Sequence, residues 1–156
     1  MMNGMEMNLE APTGNRVAGR NGISAVPTAA HKQPDRQENE FYIRTKTCAI
    51  LRQLGIPVHL AGHLYLVEAV ALAVTEPDRL RRITTMLYPA IAHRYGTTPA
   101  AVERAMRHAI ETAWYQCEPE TLAYYFGNTV SSRGGRPNNS ELIARVGNLV
   151  REGAMS

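Results

Sequence analysis

The sequence predicts an all-α fold of about six helices in one compact domain, preceded by a disordered N-terminal tail. Three observations carry this. From residue 41 onward apolar residues recur three and four positions apart, the spacing of one helix face. Gly and Pro fall between those stretches at the intervals expected of helix ends. No strand-like alternation extends beyond three or four residues.

Residues 1–40 are rich in Gly, Asn, Pro and Ala and have no apolar period, so they read as a tail ahead of a helical domain at 41–156. They also lack the apolar core of a secretory signal. The first helix carries Ile43, Thr47, Ile50, Leu51 and Leu54 on one face, and Gly55 and Pro57 end it. A second helix, at about 61–75, offers Leu64, Val67, Ala71 and Val74 as its core face. The run "TEPD" breaks it, with Pro77 near the first turn of a third helix that carries Leu80, Ile83, Leu87, Ile91 and Tyr95. Pro89 must kink or split this third helix, because it removes a backbone donor.

Gly96 stops the third helix. Thr98 suits the N-cap and Pro99 the N1 position of a fourth. The buried face of that fourth helix is Val102, Met106, Ala109, Ile110 and Ala113, with Trp114 closing it against the core. A short fifth helix, at about 119–126, begins at Pro119 and ends before Gly127. The polar loop "TVSSRGGRPNNSE" follows. Asn138, with Glu141 three residues on, makes a capping-box-like start for the last helix. That helix buries Leu142, Ile143, Val146, Leu149 and Val150.

Residues 1–40 hold four basic and five acidic residues, whereas 41–156 hold thirteen basic and nine acidic. The basic excess therefore lies in the part that folds. Twelve of those thirteen are Arg, the side chain suited to bidentate contact with phosphate or guanine. Many soluble domains carry as much net charge, so the balance alone does not require a nucleic acid. No apolar run is long enough to span a membrane. Cys48 and Cys117 show no CxxC spacing and read as reduced thiols of a cytoplasmic protein, with Cys48 buried. There is no phosphate-binding Gly loop, GxSxG or HExxH, and the carboxylates are scattered singly, so neither an enzyme nor a cofactor is expected. His59 and His63 stand at i and i+4, a spacing that can hold a metal. Pro57 precedes them, Gly62 lies between them and no third ligand has suitable spacing, so no metal is expected.

The stretch "AIAHRYGTTPAAVERAM" has the marks of a helix-turn-helix. Ala92 allows a close helix crossing, Gly96 makes the left-handed turn, and Val102 supplies a buried β-branched residue six positions after the Gly. The second helix, at about 98–115, would then lie in a DNA major groove. Its outward residues are Glu103, Arg104, Arg107 and His108. Arg can fork onto O6 and N7 of guanine and Glu can accept from N4 of cytosine, so a Glu-Arg dipeptide can read adjacent G·C pairs. The alternative is a solvated face closed by an i,i+4 pair between Glu103 and Arg107. Thr98, Ser131, Arg133 and Arg136 are the candidates for phosphate contacts beside that helix. For the "SSRGGRPNN" loop the alternative is a surface segment whose arginines touch nothing.

These blocks, "GHLYLVEAV", "LYPAIAHRYGTTPAAVERAMRHAIETAW", "FGNTVS" and "PNNSELIARV", taken together and in this order, resemble the C-terminal DNA-binding effector domain of the stage 0 sporulation protein A response-regulator family, over about residues 42–152. The resemblance implies a six-helix domain that binds double-stranded DNA at TGTCGAA-type boxes upstream of sporulation-related promoters. It implies base contacts by Glu103 and Arg104, with Arg107 and His108 at further positions on the DNA side. It also implies a contact with the sigma subunit of RNA polymerase, with Thr121, Phe126 and Val130 falling at that surface. Thr121 and Ala123 depart from the serines expected there, so the resemblance supports the DNA role more firmly than the activating one.

The family places a receiver domain with a phosphorylated aspartate before the effector. Here a tail-like segment precedes it, with a single aspartate, Asp35, in no strand-like setting. The expectation is an effector domain without the receiver, with cooperative binding left to a homodimer on tandem boxes. Two functions follow. One is a sequence-specific DNA-binding transcriptional regulator. The other is a protein-interaction module that binds the sigma subunit or a full-length relative and modulates its activity.

Overall fold

In the computed structural model, which describes residues 35–127 and 135–155, every regular element is helical. The unit that begins at Arg36 contains α1 (Arg36–Gln53), α2 (Ala61–Thr75), a single turn α3 (Asp78–Arg81), a π-helical turn (Ile83–Leu87), α4 (Tyr88–Tyr95), α5 (Pro99–Trp114), α6 (Pro119–Phe126) and α7 (Asn139–Met155). Among the described residues no helix is long and apolar enough to cross a membrane.

Local chemistry explains most of these boundaries. Helix α1 begins at Arg36, inside the stretch read as tail, and ends in a Schellman motif at Gly55, whose φ is 88°. The Ile56 N–H donates to Leu51 O and the Gly55 N–H to Arg52 O, both at 3.0 Å. Ile43, Thr47, Ile50, Leu51 and Leu54 are buried as the periodicity predicts. Cys48 is only half-buried and, like Cys117, carries a free thiol. The expected third helix is split. Its backbone leaves helical geometry at Arg82, where φ is −118° and ψ is 55°. Pro89 cannot donate, and the turn before it relaxes to wider bonds, with the Leu87 N–H reaching Arg82 O and the Tyr88 N–H reaching Ile83 O.

Helix α2 is the centre of the unit, packed against α1, α5 and α7. Nine of its fifteen residues are buried, so it has no simple core face. Leu64, expected in the core, is 46% exposed. It lies on the strip Ala61–Leu64–Glu68–Leu72–Thr75, where Ala61, Leu64 and Thr75 are all exposed among the described residues. Glu68 shares that strip yet is 3% exposed, because side chains roof it. Arg44 of α1 forks onto the carboxylate at 2.9 and 3.1 Å, and the Tyr95 hydroxyl of α4 donates at 3.2 Å. Arg94 stands 3.7 Å away. Burial pushes the Glu68 carboxyl up, but the Arg44 hydrogen bonds and charge, with Arg94 and Tyr95, outweigh it and hold it below the usual carboxylate range.

On the far side, α2 touches α5 backbone to backbone. A Cβ at Gly62 would stand 2.1 Å from the Ala105 carbonyl oxygen and 2.7 Å from the Ala109 Cβ. Helix α7 closes the unit through Leu142, Ile143, Val146 and Val150. Arg151 donates to Ala73 O at 3.0 Å, and Arg145 donates to Tyr125 O.

Two outcomes test this frame. Gly62→Ala should destabilise by about 2–3 kcal/mol, because backbone cannot yield to the new methyl. Gly147→Ala meets only Val74 Cγ2 at 3.6 Å and should be neutral or stabilising, as at an open helical site. Equal melts for the two variants would show that the α2–α5 approach is not tight. Glu68→Gln should cost about 3 kcal/mol at neutral pH, at the low end for a broken buried pair because Arg44 is 28% exposed and can rehydrate. The pair's contribution is present above the ordinary carboxylate pKa of about 4.3 and is lost as pH falls through the lowered native value. Urea melts from neutral to acid pH should therefore show a steeper acid limb in the wild type than in Glu68→Gln.

Candidate nucleic-acid interface

Helices α4 and α5 form a two-helix unit joined by a three-residue turn, Gly96–Thr98. Gly96 adopts φ 66° and ψ 38°. A Cβ there would meet nothing within 4 Å, so the glycine serves the left-handed backbone and not a tight fit. The Gly96 and Thr97 N–H groups both donate to Ala92 O, which closes α4. Thr98 then opens α5, its Oγ1 accepting from the Ala101 N–H at 3.1 Å with Pro99 at N1. Ala92 and Val102 are buried, as the motif needs.

The buried stripe of α5 is Val102, Met106, Ala109, Ile110 and Ala113. Of the four residues expected to face a ligand, Arg104 and His108 lie opposite it, Arg107 is exposed to one side, and Glu103 is half-buried at the edge of the stripe. Arg104 and His108 are exposed, and Arg104 makes no hydrogen bond or ion pair with a described residue. Arg107 donates to Glu103 through Nε at 3.1 Å and Nη2 at 3.4 Å. The i,i+4 pair expected of a solvated face is therefore present, and Arg104 and His108 stand open beside it. The Glu103 hydrogen bond and charge raise the Arg107 pKa further, so its positive charge is permanent.

Of the phosphate candidates, Thr98 lies exposed at the start of α5, its hydroxyl hydrogen still free to donate. Arg136 stands beside the same helix, 3.4 Å from Glu111. Ser131 and Arg133 lie outside the described residues. The chain re-enters at Gly135, whose carbonyl accepts from Trp114 Nε1, so the C-terminal end of α5 anchors the approach to α7. The expected capping box is present, with Asn138 N–H to Glu141 Oε1 at 2.9 Å and Glu141 N–H to Asn138 Oδ1 at 2.8 Å.

Two of the three candidates for a sigma contact, Thr121 and Phe126, lie on α6. Thr121 is half-buried on α6, and Val130 lies outside the described residues. Phe126 is 3% exposed and packs edge-on against the Trp114 ring, 5.2 Å between centroids at 77°. The structure puts it in the core rather than at a partner surface, because the apolar end of α6 must cover Trp114. His59 sits in the exposed turn before α2, whereas His63 is buried in its first turn. His63 Nε2 has no hydrogen-bond partner among the described residues, and burial, then Arg52, pushes its pKa down. Among the described residues no group of three His, Cys, Asp or Glu could hold a metal.

Residues that the sequence reading passed over support this face from behind. Asn139, at the start of α7, donates through Nδ2 to the Tyr88 hydroxyl at 3.0 Å and to the Glu103 backbone carbonyl at 3.1 Å. Burial pushes the Tyr88 phenol up, so it stays protonated. A cleft of about 350 Å³ lies beside this junction, lined by Tyr88, Glu103, Arg107, Arg136 and Asn139 among others. Only Glu68 left a trace in the sequence, as the single charge in the otherwise apolar α2.

A Gly-turned, Thr-capped helix pair with an exposed arginine face on its second member defines a helix-turn-helix DNA-binding effector domain of the transcription-regulating class. Residues 47–150 match the family described as sporulation initiation factor Spo0A C terminal, and the chain belongs to that family.

The turn can be probed without DNA. Thr98→Ala should cost about 1 kcal/mol of stability through the lost cap. Gly96→Ala should cost about 1–2 kcal/mol through left-handed strain alone. Thermal melts unchanged in both would mean that the turn does not hold α5.

Proposed function

We propose that the chain is a sequence-specific DNA-binding regulator that acts in the cytoplasm and reads TGTCGAA-type boxes with α5 in the major groove. The observation that carries this reading is Arg104, an exposed guanidinium without a partner among the described residues, at the centre of the outward face of α5. Such a group is ready to fork onto guanine. Glu103 beside it can accept from cytosine, with Arg107 and His108 extending the contact. The exposed Glu103–Arg107 pair is of the weak surface kind, so a base edge can displace it. Thr98, Ser131, Arg133 and Arg136 contact phosphates, and two copies pair on tandem boxes.

A second reading is favoured by Tyr115 and Tyr124, which are 83% and 77% exposed. Exposed aromatic rings are common at protein interfaces. In this reading the chain is a protein-interaction module for the sigma subunit of RNA polymerase or a full-length relative, by way of the α6 side, with Thr121 and Val130 among its contacts.

Gel shifts separate the two. The first reading expects a shift on a TGTCGAA duplex that survives excess random competitor. No shift, together with retention of the polymerase subunit in a pull-down, supports the second. Within the first, Arg104→Ala should cost about 1–3 kcal/mol on the box and relax preference at one G·C pair. Equal loss on box and random duplex would remove Arg104 from base reading. Truncating Arg133 or Arg136 should lower the slope of log affinity against log salt by about 1 in each case. An unchanged slope would return that loop to bare surface.

A further inference from the structure

We propose that Asn139, a residue that does not belong to the outward face, sets the rotation of α5 and thereby the fidelity of base reading. The inference rests on the reading of α5 as the groove helix. It starts from what apolar packing leaves undetermined. The stripe that holds α5 down contains two alanines beside Val102, Met106 and Ile110. The Gly62 contact decides which side of α5 turns inward. Burial of such a surface has no directional preference, however, so within that setting small rotations about the helix axis change it little. The outward side chains have no such tolerance. On a helix about 10–12 Å across, a rotation of about 10° moves a side-chain tip by about 1 Å. That is enough to spoil a hydrogen bond whose useful range is a few tenths of an ångström.

The directional element is the Asn139 amide. Its Nδ2 donates to the Glu103 carbonyl at 3.1 Å and to the Tyr88 hydroxyl at 3.0 Å. A backbone carbonyl can only accept, so the amide nitrogen must face it, and the orientation of the side chain is set by chemistry. Asn139 is 6% exposed, and Tyr88 is also buried, so the alternative to these bonds is a buried unsatisfied amide. The bond falls on the backbone of Glu103, directly before Arg104 and one turn before Arg107. The same amide is tied to α4 through Tyr88 and to α7 through its own backbone. Three helices therefore meet at one side chain, and the angle of α5 against the other two is recorded there. Asn139 is a positioning residue, acting through Glu103 and Arg104 and not on DNA itself.

Asn139→Asp is the sharpest test. It keeps the shape, and an acid in the first turn of α7 suits the helix dipole, but it removes both donors and sets a carboxylate against a carbonyl. The full chain would select from a random duplex pool, so that no box is presumed. Affinity for the winning sequence and for random duplex would then be measured per folded molecule, with folding checked by thermal melts. The expected result is about a tenfold fall in the specific-to-random ratio with an unchanged salt slope, the signature of misaimed base contacts with intact phosphate contacts. Asn139→Ala, which adds no charge, carries the test if the aspartate variant does not fold. Tyr88→Phe should give a smaller fall of the same kind. A folded Asn139 variant that keeps the wild-type ratio overturns the proposal. Arg104→Ala in parallel tells the two levels apart. If Arg104→Ala loses the preference and Asn139→Asp keeps it, only the positioning role fails. If the wild type enriches no sequence, the groove reading fails and this inference with it.

Discussion

The arrangement depends on one crossing, where α2 passes α5 at Gly62 and the Ala105 carbonyl occupies the space that any Cβ would need. Helices usually pack 8–10 Å apart because side chains hold them off. Here one partner has no side chain at the contact and the other offers only alanines. That closeness decides which side of α5 turns inward. Once Ala105 and Ala109 face α2, a step of 100° per residue brings Val102, Met106, Ile110 and Ala113 into the core as well. Arg104 then falls opposite the centre of that stripe. The outward face is therefore a consequence of a backbone contact on the other side of the helix.

A second fastening works by charge. Glu68 joins α1 and α4 to the centre through Arg44 and Tyr95, and it does so on the strip of α2 where Ala61, Leu64 and Thr75 are exposed. A carboxylate placed there would ordinarily be solvated. The roofing side chains exclude water and replace its hydrogen bonds, and the lowered pKa records that replacement outweighing the burial. Because Tyr95 and Arg94 lie in the last turn of α4, the fastening acts one residue before the Gly96 turn. Hydrophobic burial sets α5 against α2, and an ion-pair network sets α4 against the same helix. The two halves of the motif are thus held by different physics.

What was legible in the sequence divides by range. Gly96, Thr98, Pro99 and Val102 announced the motif because turn, cap and burial are decided within a few residues. The Asn138–Glu141 box and the short helix from Pro119 were readable for the same reason. The core faces of α1, α5 and α7 followed from periodicity, because each has one side toward the centre. Periodicity failed at α2, where Leu64 is exposed, because a helix surrounded by others has no single face to reveal. Asn139 and Tyr88 are 51 positions apart, and Arg44 and Glu68 are 24 apart. No spacing rule reaches that far. Gly62 was also illegible, since a glycine inside a helix reads as a weakness until its neighbour is known.

The four outward side chains of α5 owe little to the frame behind them. Glu103 and Arg107 bond to each other, and Arg104 and His108 extend into solvent. Glu103 is half-buried beside the cleft, whereas Arg104, Arg107 and His108 are exposed and can be replaced without opening a cavity. In engineering terms the domain is a chassis with an interchangeable face, on which the exposed positions can be varied without first repairing the fold. The same independence bears on natural drift: substitutions at the exposed positions of this face meet almost no opposition from the stability of the domain.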